Sequence, residues 1–492
     1  MSNASRVVLR NSIFGVASEL IAGTLFFATF ILIARALGTS EFGIFSYILA
    51  FVGIFQLLAD FGLTNILVRE ITRDLSRVTE IVSTVRPLAW IFSSAIFVLI
   101  AAIGYPLSPT PQAYTATILL GLAVLATFHS FSYGSVCRAF EEMGFNAIGN
   151  VTHKILLILL VALAIKFDTG IIGAAAAMLI ANIYQWVFFY LVVRVRYVSK
   201  IRWHYDFAYW RYLLVEAAPI GIAMVFRRAS QHVNTLILTA LSSNNSVGLF
   251  TVAYKIVQML DMIPFTLSIP LFPQFVRLAR ESKEQLFRVL THAIRIFMII
   301  AAPIVIWTVV MARVLIELLF GTEYIESTTT LQVLAVSLLF LFFTALYSYL
   351  FSALDRQRFY TTTSGLCLLA NVIMGFILIP YYGHLGAAIA TLIAEAVFCV
   401  CGLWLLYSLG YRIAILRIVG TPFGLALIAS AVLIWSTTQD SSLITVIASL
   451  FYMALYFILI IATGTLNTSE LALMRSLIKR NQTTPEPIQE SA

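Results

Sequence analysis

The chain has 492 residues, of which 61% are hydrophobic and only 11% are charged. Because soluble globular domains are about half apolar, this composition excludes a soluble protein and indicates a chain that crosses a membrane many times. The formal net charge of +8 is explained by loops that lie against anionic lipid, so it does not require a nucleic-acid partner.

Apolar runs of about 20 residues, enough to cross a bilayer as a helix, recur along the whole chain. The hydrocarbon offers no partner to an exposed backbone, so we expect every span to be helical and the fold to be all-α. The first span lacks a small-residue cleavage site and carries Glu19, which favours a retained helix over a signal peptide. The fourteen predicted spans lie at about residues 12–34, 44–66, 87–105, 114–136, 147–166, 171–193, 212–241, 247–271, 291–320, 329–352, 359–379, 384–407, 418–436 and 442–463.

Most of the 31 lysines and arginines fall in segments on one side of these spans, the side that also holds both termini. The positive-inside rule therefore predicts a multi-pass protein of the cell (inner) membrane with both termini in the cytoplasm. The four cysteines lie in or beside apolar spans without metal-ligand spacing, so we expect buried thiols and neither a metal nor another cofactor: Cys137, Cys367, Cys399 and Cys401.

The chain repeats itself. SEFGIFSYILAFVGIFQLL aligns with NSVGLFTVAYKIVQMLDMI at an offset of 205, which matches Gly43 with Gly248, and IIGAAAAMLIA aligns with HLGAAIATLIA at an offset of 213. Two matches in the same order predict a duplicated six-span unit. We expect an N-terminal lobe at 1–205, a C-terminal lobe at 206–410, two added spans at 411–465 and a cytoplasmic tail at 466–492. Parallel repeats of this kind are typical of transporters whose substrate path lies between the halves.

Several long segments carry a family resemblance that covers almost the whole chain. They are ARALGTSEFGIFSYILAFVGIFQLLADFGLTNILVRE, VGLFTVAYKIVQMLDMIPFTLSIPLFPQFVRL, LFGTEYIESTTTLQVLA and LDRQRFYTTTSGLCLLANVIMGFILIPYYGHLGAAIATLIAE. With the fourteen-span count, the chain resembles the polysaccharide-export (Wzx-type, O-antigen flippase) branch of the MOP superfamily, which also contains MATE exporters and the lipid II flippase.

The resemblance implies two six-helix lobes around a central cavity and a flippase that moves a polyprenyl-diphosphate-linked oligosaccharide from the inner to the outer leaflet. Such a protein serves O-antigen or other lipopolysaccharide and polysaccharide biosynthesis, and its implied partners are membrane lipids, H⁺ or Na⁺, a polysaccharide polymerase and chain-length proteins. One departure is visible, because Asn234 stands where such sequences often carry an acidic residue.

Charged residues inside the spans are the candidate site residues, because an isolated charge in hydrocarbon is costly and needs a wet cavity or a partner. Arg227 and Arg228 are adjacent in the seventh span, and His232 follows Arg228 on the same helix face. Guanidinium groups bind phosphate oxygens bidentately, and lysine adds a compact point charge. We therefore expect the arginine pair, with His232, Lys255 and Lys154, to bind a diphosphate-linked glycan; the alternative is that these cations pair with buried acids.

The acids within the spans have two possible roles. Glu19, Glu395, Glu216 and Asp261 are candidates either for coupling to an ion gradient or for balancing the buried cations. Glu216 lies three turns before Arg227 on a similar face, so we expect Glu216 or another of these buried acids to be the partner of the arginine pair when the cavity is empty.

Two other functions remain as alternatives. A MATE-like exporter of organic cations would need an acidic cavity, whereas the deep charges of the second half are mainly basic. A membrane glycosyltransferase or polymerase would need a large outer loop or a carboxylate cluster, and the outer loops here are short. No phosphate-loop motif is present, so we expect neither ATP-driven transport nor an enzyme.

Overall fold

The computed structural model describes residues 3–198, 202–411, 413–439 and 442–465, except for the side chains of 3–14, 16, 219, 220, 223 and 442. The predicted tail at 466–492 lies outside the described residues. The described chain forms α-helices and three short 3₁₀ turns, at 75–77, 269–271 and 322–324. The helices are α1 Asn3–Asp60, α2 Leu63–Arg73, α3 Val78–Leu107, α4 Pro111–Ala139, α5 Met143–Lys166, α6 Gly170–Arg196, α7 Phe207–Leu241, α8 Asn244–Ser268, α9 Phe272–Glu281, α10 Lys283–Val310, α11 Ala312–Phe320, α12 Ser327–Ala353, α13 Gln357–Ser408, α14 Ile415–Ala429, α15 Ala431–Ser436 and α16 Ser442–Ala462.

Eleven stretches of the described chain are long and apolar enough to cross a membrane. Two of them contain two crossings each, because Gly38 and Gly383 interrupt α1 and α13 with positive φ angles of 71° and 53°. Helix α7 is 35 residues long and stands outside these eleven stretches. When these two stretches are counted as two crossings each and α7 is added, the observed helices match the fourteen predicted spans. The all-α polytopic fold is confirmed.

The two sequence halves correspond to α1–α6 and α7–α13, and the proposed boundary at 205/206 falls just before α7. The glycines matched by the repeat meet where the halves touch. A Cβ on Gly43 would lie 1.8 Å from the carbonyl oxygen of Asn244, and a Cβ on Gly248 would lie 2.1 Å from that of Thr39. Only glycine allows the two backbones to approach this closely, so the repeat has placed its shared glycine at the contact between halves.

We call the face that carries α2, α9 and the α6–α7 connection the basic face, and the other the opposite face. At the opposite face, Tyr324 Oη donates to the carbonyl oxygen of Ala34 at 2.8 Å, and Arg35 Nε donates to that of Leu319 at 2.8 Å. Together with the glycine contact, these bonds join the halves at that face.

The added helices α14–α16 pack outside the two halves, against α10. Tyr456 Oη donates to the carbonyl oxygen of Ile299 at 2.8 Å, and Trp307 Nε1 donates to Ser449 Oγ at 3.1 Å. Both hydrogen bonds pair side-chain donors that hydrocarbon would leave without a partner. These helices contribute no residue to the cavity described below.

Candidate functional site

A cavity of about 590 Å³ lies among α1, α4, α5 and α6, and Arg228 of α7 completes its wall. Residues on both sides of the break at Gly38 line it, so α1 reverses direction there. The lining residues follow helical spacing on each element: Glu19, Ala22 and Phe26, then Leu49, Val52, Gly53 and Gln56, on α1; Leu120, Ala123, Val124, Thr127, Ser130, Phe131, Gly134 and Arg138 on α4; Asn146, Asn150, His153, Lys154 and Leu157 on α5; Met178, Asn182, Gln185 and Phe189 on α6. Each helix thus presents one face, with polar side chains on it, to a shared space.

Three cations lie at one depth beside this space. Lys154, Arg228 and Lys255 are 11 to 13 residues from the opposite-face ends of α5, α7 and α8, which places them about 17–20 Å from that face at 1.5 Å per residue. Lysine and arginine side chains cannot easily reach the interface from there. Their charge is therefore held in the middle of the membrane.

An aromatic pair on α1 joins the lysines of the two halves. The ammonium nitrogens of Lys154 and Lys255 lie 4.2 Å and 5.8 Å from the ring centroid of Phe26, and that of Lys255 lies 4.2 Å from the centroid of Phe30. Cation–π contact of a desolvated cation is worth about 2 kcal/mol, less than a carboxylate would supply. Among the described residues, no carboxylate lies within ion-pair distance of either lysine or of Arg228.

The adjacent arginines of α7 face different surroundings. Arg228 lines the cavity, whereas Arg227 Nη1 lies 2.7 Å from Glu395 Oε1 with both side chains largely buried, and its guanidinium lies 5.5 Å from the ring of Phe398. The expectation that the two arginines act together is not met by this geometry. Arg227 is held within the second half as one member of a buried ion pair.

The acids named from the sequence are distributed over three places. Of the acids expected as partners of Arg227, Glu395 forms the pair. Glu216 does not, because its Oε2 accepts from Arg69 Nη2 of α2 at 2.7 Å, near the basic face. Glu19 lines the large cavity. Asp261 lines a small cavity with Arg227 and Glu395, so two carboxylates there surround one guanidinium.

His232 and Asn234 contribute to packing between helices. The ring of His232 lies against Gly53, whose Cβ would be 3.1 Å from Nε2, and it lines a second small cavity with Lys255. Asn234 Nδ2 donates to Asn371 Oδ1 and Thr391 Oγ1, both at 2.8 Å. The amide of Asn234 therefore joins α7 to α13.

Sequence reasoning missed most of the cavity wall. Arg138 is assigned to a loop by its position at the end of a span, yet it lines the cavity mouth. The amide side chains of α5 and α6 carry no charge, so none of them by itself indicates a cavity. Asn146 and Asn150, four residues apart and followed by His153, were the signal that could have revealed a polar stripe on an otherwise apolar helix.

The two halves differ at one equivalent position. The alignment of IIGAAAAMLIA with HLGAAIATLIA places Asn182 opposite Glu395 in the next column. Asn182 Oδ1 accepts from Thr127 Oγ1 at 3.0 Å beside the large cavity, whereas Glu395 forms a buried ion pair with Arg227. The first half is therefore open and lined by amides where the second half is filled by an ion pair.

Comparison with known proteins is consistent over most of the chain. The family described as "Polysaccharide biosynthesis protein" matches residues 8–279. The chain is 24% identical over 291 residues to the capsular polysaccharide biosynthesis protein CapF of Staphylococcus aureus, covering 57% of this chain and 72% of that one. It is 20% identical to a putative O-antigen transporter of Shigella flexneri, covering 78% and 94%, and 21% identical to the probable low-salt glycan biosynthesis flippase Agl15 of Haloferax volcanii, covering 78% and 79%.

Solved structures of transporters share the fold. The lipid II flippase MurJ in an inward closed conformation aligns with a TM-score of 0.76 at 15% identity, covering 95% of this chain and 99% of that one. An inward-facing multidrug MATE transporter of the MOP superfamily aligns with a TM-score of 0.66 at 18% identity, covering 80% and 97%. The resemblance inferred from the sequence is confirmed, and since the family match spans more than half of the chain, this protein belongs to the polysaccharide biosynthesis protein family and has the MurJ and MATE fold.

Proposed function

We propose that this protein is a flippase that moves a polyprenyl-diphosphate-linked oligosaccharide from the inner to the outer leaflet by alternating access. Its family, and relatives that are named as an O-antigen transporter and as a glycan biosynthesis flippase, support this function. In this proposal the protein is a transporter rather than an enzyme, it lies in the inner membrane, and the basic face and both termini are cytoplasmic, as the charge distribution favours.

The observation that carries the proposal is a group of three cations at the middle of the membrane, none of which has a carboxylate of the described residues within ion-pair distance. Lys154 and Arg228 line the large cavity, and Lys255 shares the ring of Phe26 with Lys154. Burying such charges is expensive unless a partner arrives, and the partner that suits two ammonium groups and a guanidinium is a multivalent anion. A lipid diphosphate supplies one, while its polyprenyl tail remains in the bilayer.

Charge also argues against the rival transport function. Arg138, Lys154 and Arg228 face the large cavity together with a single carboxylate, that of Glu19. A cavity with this excess of positive charge repels an organic cation, because like charges in a medium of low dielectric constant interact strongly. Export of organic cations in the manner of MATE transporters is therefore the less favoured function.

We place ion coupling, as part of the same proposal, in the second half. Asp261 and Glu395 line one small cavity with Arg227, so two negative charges face one positive charge when both acids are ionised. A proton or Na⁺ would balance the remaining charge, and its loss would favour solvation from the other face. Glu19 and Glu216 are assigned to charge balance, the first beside Lys154 and the second with Arg69.

The test is complementation of a strain that lacks the protein. Lys154→Gln and Arg228→Gln should each reduce surface glycan at least tenfold and cause the lipid-linked oligosaccharide to accumulate in the inner leaflet. Lys166→Gln is the matched control, because Lys166 lies on the same helix α5 but is exposed at its end. Export at the wild-type rate by well-expressed Lys154→Gln and Arg228→Gln would contradict the proposal, and resistance to cationic drugs without any effect on surface glycan would favour the MATE-like alternative.

A further inference from the structure

The cavity wall between the deep cations and the mouth contains polar atoms that nothing in the described structure satisfies. Ser130 Oγ, Asn146 Nδ2 and His153 Nε2 are buried and lack a hydrogen-bond partner, and all three residues line the large cavity. Ser130 is 0% and His153 5% exposed. Buried polar groups are nearly always paired, and each group left unpaired destabilises the fold. A ligand with several hydroxyl groups could pair with all three.

Neighbouring amides are already fixed in place. Gln185 Nε2 donates to Asn150 Oδ1 at 2.9 Å, and Asn182 accepts from Thr127 at 3.0 Å. These bonds hold the amide planes against rotation, so the wall is preorganised before a ligand binds. Amide, hydroxyl and imidazole groups both donate and accept hydrogen bonds, as the hydroxyl groups of a sugar do.

The position and size of the wall suit the sugars nearest the lipid. Asn150 and Asn146 precede Lys154 on α5 by 4 and 8 residues, or about 6 and 12 Å along the helix axis. The cavity of about 590 Å³ is within the usual range for a small-molecule site and has room for about two or three sugar rings. Phe131 and Phe189 line the same cavity and offer apolar surface to the ring faces.

We propose that Ser130, Asn146 and His153 form a sugar-binding subsite of the first half, which hydrogen-bonds the sugar rings adjacent to the diphosphate and sets which glycan is accepted. The inference rests on the proposed flippase function. A site built to pair with hydroxyl groups discriminates strongly against a ligand that lacks them, because its own polar groups then stay unpaired. The deep cations bind the diphosphate, which all such lipids share, and the subsite binds the adjacent sugars, which differ between glycans.

The test compares binding of two lipids by the full-length protein in nanodiscs. One is the lipid-linked oligosaccharide extracted from the deletion strain, in which it accumulates; the other is undecaprenyl diphosphate, which carries no sugar. Asn146→Leu and His153→Phe should bind the glycosylated lipid at least tenfold more weakly than wild type and the sugar-free lipid equally well. Lys154→Gln should weaken both.

Stability provides a second readout that separates ligand binding from a structural role. Asn146 Nδ2 and His153 Nε2 have no internal partner, so apolar side chains of similar size at these positions should leave the melting temperature unchanged or raise it. Gln185→Leu, which breaks the bond to Asn150, should lower it. Destabilised Asn146→Leu and His153→Phe proteins would indicate a structural role and overturn the inference.

The outcomes distinguish the two proposals. If the subsite variants bind both lipids as wild type does while Lys154→Gln weakens both, the subsite is wrong and the unpaired groups serve only water. If Lys154→Gln binds both lipids as wild type does, the diphosphate assignment itself fails. The first result refutes only the sugar subsite, and the second refutes only the diphosphate site.

Discussion

The contact between Gly43 and Gly248 predicts how the opposite face closes. A Cβ on Gly43 would lie 1.8 Å from the carbonyl oxygen of Asn244, and real Cβ contacts are essentially never under 3.0 Å. The α1 and α8 backbones must therefore separate by about 1.2 Å to admit even alanine. Overpacking of this kind costs about 1–3 kcal/mol, and because the cost falls only on the state closed at this face, the equilibrium should shift about 5- to 150-fold toward the open state.

The assay is cysteine labelling from the opposite face with a membrane-impermeant thiol reagent. Ala123 of α4 lines the cavity at mid-depth and is 4% exposed, so Ala123→Cys, in a background without the four native cysteines, should react slowly. Adding Gly43→Ala should raise the labelling rate at least fivefold and slow export, since the protein spends less time closed at that face. Gly248→Ala should act in the same way.

The matched control is Gly424→Ala, since a Cβ on Gly424 of α14 would meet nothing within 4 Å. It should change neither labelling nor export, which separates the clash from any general effect of alanine in a helix. Unchanged labelling and wild-type export by a folded Gly43→Ala protein would refute the reasoning, because the contact would then have no part in closure.

Three further changes test contacts between helices. Arg227→Gln or Glu395→Gln alone should destabilise by about 3–5 kcal/mol, because each leaves an unpaired buried charge, whereas the double variant should recover much of the loss in a thermal melt in detergent; equal loss by the double variant would speak against a buried pair. Arg69→Gln should lower stability by less than about 1 kcal/mol, because its bridge to Glu216 is partly exposed, and a larger loss would contradict that. Tyr456→Phe should cost about 0.5–1.5 kcal/mol with export unchanged, and a transport defect would mean that α16 belongs to the pathway.

The membrane fold could be predicted because its governing constraint is local. Apolar length and the need to satisfy the backbone in hydrocarbon determine each span independently, and the repeat locates Gly43 and Gly248 as equivalent positions. The partner of a buried charge, in contrast, depends on residues far away in the sequence. Arg227 finds its partner 168 residues away on α13, and nothing near Arg227 in the sequence distinguishes it from Arg228. Glu216 was one of several acids that could pair with Arg227 from the sequence, but it pairs with Arg69 of α2 instead.

The cavity was not predicted from the sequence, because the residues that line it are mostly uncharged. Charge is conspicuous in an apolar span, whereas an amide is not, so the sequence drew attention to Arg227 and away from Asn146. Yet a transporter for glycans needs many weak polar contacts more than a few strong ones. Polar residues at helical spacing within an apolar span, such as Asn146, Asn150 and His153, are therefore a better indicator of a wet cavity than isolated charges, which pair with each other wherever the fold allows.

Under the proposed function, the two halves have separate tasks. At the equivalent positions, Asn182 faces a wet cavity and Glu395 holds Arg227 in a buried pair with Asp261 nearby. At this position a titratable acid would tie substrate binding to the ion directly, whereas a neutral amide does not, and Glu19 is the carboxylate that lines the large cavity. In the proposed mechanism, coupling passes through α7, which carries Arg227 in the ion pair and Arg228 at the wall of the large cavity. A change in the ion pair would move the helix that contributes a cation to that cavity, so under the proposal the adjacent arginines link the two tasks.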